Sequence, residues 1–589
     1  MSKRVFAVLF IFIFIFSTFS ACKKYYASDS PADENEQTDE GSGSESADDY
    51  FWNSSEVIEI LLNGTSITEN SDAVTVDGSK VTIISAGTYS LKGSLTDGQV
   101  IVNSKEEGSV RLILNGVNIK CSSSAPIYVK NAGKVLLVLP DNTENFITDG
   151  TSYTVDDEGE PNAAVFSKSY LSFYGKGSLT VKANYLDGIT GKDGLVIKSG
   201  TINVTSADDG IRGKDYLIIR NGNITVTSKG DGLKSDNEDE TSLGYITVDS
   251  AVVNINSTCD GINAQTDLTL TDGSFNITTG GGAGSAGTTT TTAGFGDPGG
   301  GGSTGGYSGT ISKKALKAKN NLTIRKGTFD INAADDAIHS NNIVAINGGL
   351  FSVATGDDAV HAETSVTIDG GMLDITKCYE GIESATITIK SGDVIIVSTD
   401  DGFNATKGSA TERNDGSCLY LNGGNVYVNS STGDGLDSNG SISMTGGTVV
   451  VQGPKSAPEV AFDFNGTFNI SGGEFIASGP NSGNMIQTPG TTSSQYIVKA
   501  TTSTALAASA IFHVQDAGGK DIFTFKSERS VYYVVFSSAN LINGSTYSIY
   551  TGGSSTGTFT KGLYSGGAYT GGTLKKSFSI SGKVTSVSF

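Results

Sequence analysis

The residues of this chain that could do chemistry lie in an acidic phrase that returns through its middle. It reads Asp187-Gly188-Ile189, Asp209-Gly210-Ile211, Asp231-Gly232-Leu233 and Asp260-Gly261-Ile262. It resumes as Asp336-Ala337-Ile338, Asp358-Ala359-Val360, Glu380-Gly381-Ile382, Asp401-Gly402-Phe403 and Asp434-Gly435-Leu436. The anchor acid is often doubled, as in Asp208-Asp209, Asp335-Asp336, Asp357-Asp358 and Asp400-Asp401. A second polar line follows the aliphatic residue by one position: Arg212, Lys234, Asn263, His339, His361, Glu383, Asn404 and Asp437. If the aliphatic residue points inward, its neighbour must point outward. Carboxylates stacked roughly 4.8 Å apart repel unless neutralised, and a hard divalent cation with oxygen ligands is one remedy. Calcium suits these oxygens better than zinc, which favours nitrogen and sulfur. The expected calcium ligands are Asp208, Asp209, Asp231, Asp236, Asp335, Asp336, Asp357, Asp358, Glu380, Asp400, Asp401 and Asp434. Any single aspartate could instead accept backbone N–H groups at its turn.

Two imidazoles and a carboxylate, His339, His361 and Glu383, could hold a transition metal, act as acid and base, or bond a sugar or the neighbouring Asp336 and Asp358. Arg212 and Lys234 could contact a glycan. They could also serve as the base of a β-elimination with calcium acidifying the proton, although nothing in the sequence depresses a lysine pKa. Tyr420 lies between Leu419 and Leu421, and Tyr427 between Val426 and Val428. Alternation turns both rings outward as platforms for a neutral glycan, or as ordinary surface tyrosines of a sheet.

The elements that position these residues follow from the period. Five of the eight steps between anchors are 21 or 22 residues; steps of 29, 33 and 76 carry insertions or a missed copy. Such a period is too short for a helix pair, and filled with Val, Ile and Thr it predicts a solenoid of strands. Within Asp215 to Asp236, three short strands are separated by bends, one of them Asn221-Gly222-Asn223. Stacking such units pairs the strands in parallel and buries a continuous aliphatic ladder. The expected fold is therefore all-β, a parallel β-helix over 54–490, with less regular coils before Asn184 and a Gly/Thr-rich loop insertion at 280–309. Residues 491–589 lose the repeat and read as a small antiparallel β cap.

Ahead of the solenoid, Lys3 and Arg4, the apolar run Val5 to Phe16 and Phe19-Ser20-Ala21-Cys22 read as a lipoprotein signal over 1–21 with Cys22 lipidated. Residues 22–53 follow as an acidic tether that cannot bury enough apolar surface to order itself. The expected product is a membrane-anchored bacterial lipoprotein, monomeric and at the cell surface. A formal net charge of −22 makes nucleic acid a poor partner, since binding it needs clustered cations. Cys121, Cys259, Cys378 and Cys418 lack metal-ligand spacing and are expected as small buried hydrophobes rather than disulfides.

The phrases Asp208-Asp209-Gly210-Ile211-Arg212-Gly213-Lys214-Asp215, Gly230-Asp231-Gly232-Leu233-Lys234-Ser235-Asp236-Asn237, Asp335-Asp336-Ala337-Ile338-His339-Ser340, Tyr379-Glu380-Gly381-Ile382-Glu383 and Gly433-Asp434-Gly435-Leu436-Asp437-Ser438-Asn439-Gly440 resemble the bacterial carbohydrate-binding domain-containing proteins. The resemblance spans roughly Ser54 to Tyr550. It implies a right-handed, pectate-lyase-like parallel β-helix that contains calcium and binds a plant-type polysaccharide, cellulose or polygalacturonate. Lyase activity in that family is suspected from fold alone. The expected function is thus a calcium-dependent polysaccharide-binding protein without catalysis; the alternatives are a pectate lyase and a structural adhesin.

Overall fold

The computed structural model describes residues 46–285, 311–408 and 413–589. The signal, Cys22 and most of both the tether and the Gly/Thr-rich insertion lie outside these residues. The expected coil is present: Tyr216–Ile219, Asn223–Ser228 and Leu233–Ser235 are its three strands. Each pairs in parallel with the equivalent strand of the next coil, at Tyr245–Val248, Ala251–Ser257 and Ile262–Ala264. Alternation drives this, because the inward residues of these strands are apolar or small and most outward ones polar. In the third strand the inward column runs Ile189, Ile211, Leu233, Ile262, Leu316, Ile338, Val360, Ile382, Phe403 and Leu436 in register. All ten are fully buried, and removing each such side chain from water stabilises the fold by about 1.5–3 kcal/mol. A parallel stack Phe275–Phe329–Phe351, with centroids 4.7 and 4.5 Å apart, continues the interior in the second strand.

This column also resolves the longest gap in the repeat. Leu316 occupies the register position of Ile262 and Ile338, so Lys314-Ala315-Leu316 is a copy of the phrase with lysine in the place of the acid. The residue after the anchor must be small because coils approach closely there. A Cβ on Gly210 would lie 2.3 Å from Val226 Cγ1 and 2.5 Å from the Gly232 carbonyl oxygen.

The solenoid is covered on one flank of its N-terminal coils and at its C-terminal end. Residues 46–53, assigned to the tether by composition, are instead packed on it. Tyr50 and Trp52 rest on Tyr174, and buried Asp49 accepts from Lys134 at 2.7 Å and Ser109 at 3.0 Å. At the C-terminal end, Glu474–Gly479 pairs antiparallel with Val531–Ser537, which pairs in turn with Ile497–Leu506. The C-terminal residues add a six-stranded sheet that includes Ile511–Asp516, Asp521–Lys526, Thr546–Thr551 and Thr573–Ser579. Cys121, Cys259, Cys378 and Cys418 are all free, the first and third buried and the others half-buried.

The C-terminal unit corrects the expectation for Tyr427. Its apolar core packs over the outward residues Ile395, Tyr427, Val450 and Ile476, which form one column of the solenoid. Tyr427 is only 5% exposed, and its hydroxyl donates to Glu528 at 2.7 Å. It anchors the C-terminal unit and offers no platform to a glycan. Tyr427→Ala is expected to lower the stability of that unit by about 3 kcal/mol, the usual cost of truncating a buried ring. Proteolysis should then detach the C-terminal fragment while the parallel β-helix resists. Tyr420 is 37% exposed and stands outward as alternation predicts.

Candidate functional site

The anchor carboxylates form a ladder along one corner of the solenoid. Seven of the anchor aspartates turn Oδ1 toward the next coil and accept the backbone N–H at the equivalent position there. The sequence runs Asp187 from Asp209 at 3.3 Å, Asp209 from Asp231 at 2.8 Å and Asp231 from Asp260 at 3.0 Å. It continues with Asp260 from Lys314 at 2.8 Å, Asp336 from Asp358 at 3.2 Å, Asp401 from Asp434 at 2.6 Å and Asp434 from Val460 at 2.6 Å. One oxygen of these aspartates therefore has the local structural role that aspartate serves at turns. The other, Oδ2, faces the second polar line, whose side chains leave the core but fold back over the ladder.

What neutralises Oδ2 changes along the axis. In the N-terminal half it is a side-chain cation. Lys234 Nζ lies 3.0 Å from Asp209 and 3.3 Å from Asp231, Lys317 lies 2.9 Å from Asp260, and Arg212 pairs with Asp236 at 2.6 Å and reaches Asp187 at 3.8 Å. Lys314, at the anchor position, bridges Asp335 at 2.9 Å and Asp336 at 2.7 Å. Burial works to raise the Asp336 pKa, but the Lys314 ammonium and the His339 bond outweigh it and hold the carboxyl below its usual range. Next come histidines: His339 Nδ1 is 2.8 Å from Asp336 Oδ2 and His361 Nδ1 3.2 Å from Asp358 Oδ2, with the two rings stacked 4.9 Å apart.

Beyond His361 the second line carries no further lysine, arginine or histidine among its named positions. The second line becomes Glu383, Asn404, Asp437 and finally Asp463, and among the described residues no lysine, arginine or histidine pairs with Glu380, Asp401 or Asp434. Glu380 is served by the Asn404 amide at 2.9 Å. Burial, then the charge of Glu383, pushes the Glu380 carboxyl up to about 8. Burial pushes Asp434 up to about 8, with Asp437, Glu459 and Asp463 adding repulsion against the Val460 N–H. Asp401 is raised well above its ordinary value by burial, then by Asp437 and Glu380. Asp400, Asp401, Asp434, Asp437 and Asp463 line a depression of about 460 Å³.

The oxygens of this depression suit a hard cation, whereas the acids bridged by Lys234 and Arg212 are already neutralised. Oxygens of Asp434, Asp437 and Asp463 all lie within 4.8 Å of one another, the span that one Ca²⁺ with bonds of about 2.3–2.6 Å can bridge. Asn465 Oδ1, a further oxygen of the same depression, is buried with no hydrogen-bond partner. At Asp209, Asp231 and Asp236, by contrast, Lys234 and Arg212 already supply the positive charge. Those three are therefore the expected ligands least in need of calcium, and Lys234, though ion-paired, lines an open depression with Asp236 and Asn263. Lys234 fails as a base. Burial would lower its pKa, but Asp231 and Asp209 raise it above the ordinary lysine value. Asp208 and Asp357 are exposed outer members of their doublets, and Asp335 is engaged by Lys314. The residues absent from the sequence-derived set are Lys314, Lys317, Asp437, Asp463 and Asn465. The first two were hidden by the lysine in the phrase, while Asp437 already stood in the second line.

A parallel β-solenoid carrying a corner ladder of acids is the class these features define. The carbohydrate-binding domain-containing protein family matches residues 77–359. A carbohydrate-binding domain-containing protein of Acetivibrio thermocellus is 41% identical over 214 residues, 36% of this chain and 75% of that protein. The chain belongs to this family. A solved structure described as a polysaccharide lyase-like protein from C. thermocellum, a gadolinium derivative, is 32% identical with a TM-score of 0.37. The match covers 38% of this chain and 92% of that one.

Proposed function

We propose that this protein is a surface-tethered, calcium-dependent receptor for plant-type polysaccharide, non-catalytic, and that polygalacturonate docks at the acid-rich C-terminal end of the ladder. The observation that carries this reading is the set of carboxylates at Asp401, Asp434, Asp437 and Asp463, which converge on one open depression. An acidic glycan would be repelled by a chain of net charge −22. A Ca²⁺ held by the protein acids, with coordination positions left over, bridges to the uronate carboxylates instead. The lipidated Cys22 and the tether hold the monomeric solenoid out from the membrane. Against the lyase alternative stands Lys234, whose ammonium is held protonated between two aspartates.

A specific observation supports a second glycan surface for neutral cellulose. The outward columns Asn203, Thr225, Asn254, Asn276 and Thr205, Thr227, Asn256, Thr278 are in register and uncharged. They form a flat array of hydroxyl and amide groups, part of it lining a shallow depression of about 250 Å³. Such groups can exchange hydrogen bonds with the hydroxyls of an extended chain.

The test is binding of residues 46–589 to polygalacturonate and to cellulose, after chelation and after Ca²⁺ is added back, with absorbance followed for unsaturated product. Polygalacturonate binding is expected only with Ca²⁺ and to fall at least tenfold in Asp434→Asn/Asp437→Asn, while cellulose binding persists in that variant. Calcium-independent polygalacturonate binding sinks the bridging model, and unsaturated product replaces it with the lyase.

A further inference from the structure

We propose that His361, Asp358 and Glu383 form a second metal site, selective for a transition ion such as Zn²⁺ over Ca²⁺. It lies between the lysine-neutralised and acid-rich parts of the ladder, and it goes beyond the glycan reading without depending on it. His361 Nδ1 lies 3.2 Å from Asp358 Oδ2 and 3.3 Å from Glu383 Oε2, and the three donor atoms all lie within 4.8 Å of one another. Ligand atoms around a tetrahedral zinc with bonds of about 2.0–2.1 Å are separated by ~3.3 Å, so the two nitrogen–oxygen edges already have the required length. The other ring nitrogen, Nε2, faces Glu363 Oε1 at 3.7 Å. A carboxylate behind a ligating imidazole is the usual outer partner that fixes the ring and raises its basicity. The His361 side chain is 20% exposed, which leaves a side open for water as the fourth ligand.

The neighbouring coil shows why the site is at His361 and not His339. Asp336, the carboxylate facing His339, already holds the Lys314 ammonium at 2.7 Å, whereas Asp358 has His361 as its one ion-pair partner among the described residues. Two anionic oxygens facing one imidazole leave negative charge that a divalent ion removes. Nitrogen in the donor set selects a borderline ion over calcium. His339, stacked on His361, restrains the ring from the other side.

Metal-free protein comprising residues 46–589 is titrated with Zn²⁺ by calorimetry in the presence of millimolar Ca²⁺. One equivalent is expected to bind with micromolar or tighter affinity. His361→Gln and Glu383→Gln should each weaken it at least tenfold, and Glu363→Gln by about tenfold as an outer partner. Co²⁺ on the wild-type chain, which needs no variant to fold, should give the intense visible bands of a four-coordinate site. Weak six-coordinate absorption, loss of Zn²⁺ to excess Ca²⁺, or affinity unchanged in a folded His361→Gln chain would overturn the proposal. Polygalacturonate binding restored by Ca²⁺ alone, without Zn²⁺, keeps the two sites separable.

Discussion

Lys314→Met is expected to destabilise the solenoid by about 3 kcal/mol near pH 8, the cost of leaving a buried carboxylate without its partner. Asp336 is 5% exposed on its side chain and Lys314 16%, so water screens this pair little. In the native chain the Asp336 pKa lies below its ordinary value. Its contribution is therefore fully present above the unfolded-state value near 4 and is lost as the pH falls through the lower folded value. Without Lys314 burial dominates and the folded pKa moves above the unfolded one. The sign reverses, and stability then falls as the pH rises from about 4. The deficit already contains the lost pairing at pH 4 and should grow further toward pH 8. Denaturant unfolding at the two pH values measures this, and Lys314→Met/Asp336→Asn, which removes both charges, should restore most of the loss. An equal deficit at both pH values would mean that burial does not raise the Asp336 pKa once Lys314 is gone.

Lys314 also shows where the sequence was readable and where it was not. The period, the strands and the inward aliphatic column are visible because burial demands them at every coil, and the structure places Ile211, Ile338 and Leu436 in one stack as expected. The acid does not mark Lys314-Ala315-Leu316 as a copy, because the physical requirement repeated at each coil is the inward Leu316 and the small Ala315, not the anchor charge. The step of 76 residues thus divides at Lys314 into one coil lengthened by the Gly/Thr-rich insertion and one ordinary coil of 22.

The candidate site was legible as a list of acids but not as a gradient. Which acid of each doublet is buried depends on the turn, and the fate of each Oδ2 depends both on the residue three positions on, as His361 for Asp358, and on the coil stacked beside it, as Lys234 for Asp209. Tyr427 failed for a related reason. Alternation does turn its ring outward, but only the column Ile395, Tyr427, Val450 and Ile476 reveals that the outside is covered there. Upstream the same column is Asn254, Asn276, Asp330, Ser352 and Asp374. Its switch from polar to apolar at Ile395 is the sequence signal that the C-terminal unit begins to overlie the solenoid.

The gradient has a consequence for the metal-free protein that calcium should reverse. Glu380 and Asp434 both have folded pKa values of about 8, above their unfolded values near 4. The native state therefore binds more protons than the unfolded state over that interval, and stability declines as the pH rises from about 4 to about 8. Deprotonation at the upper end concentrates negative charge in the depression formed with Asp401, Asp437 and Asp463. Calcium bound by the native state alone adds stability as RT ln(1 + [Ca²⁺]/Kd), about 2.7 kcal/mol at a hundredfold excess over Kd. Its competition with protons makes that gain largest above pH 8. Thermal unfolding with chelator should thus give a lower Tm at pH 8 than at pH 5, and Ca²⁺ should raise the pH 8 value strongly and the pH 5 value little. Asp434→Asn/Asp437→Asn, which removes two of the repelling carboxylates, should unfold at a higher temperature than the wild type in chelator at pH 8 and lose the response to Ca²⁺. A Tm indifferent to Ca²⁺ at pH 8 would remove the ion from this end of the ladder, and with it the bridge to an acidic glycan.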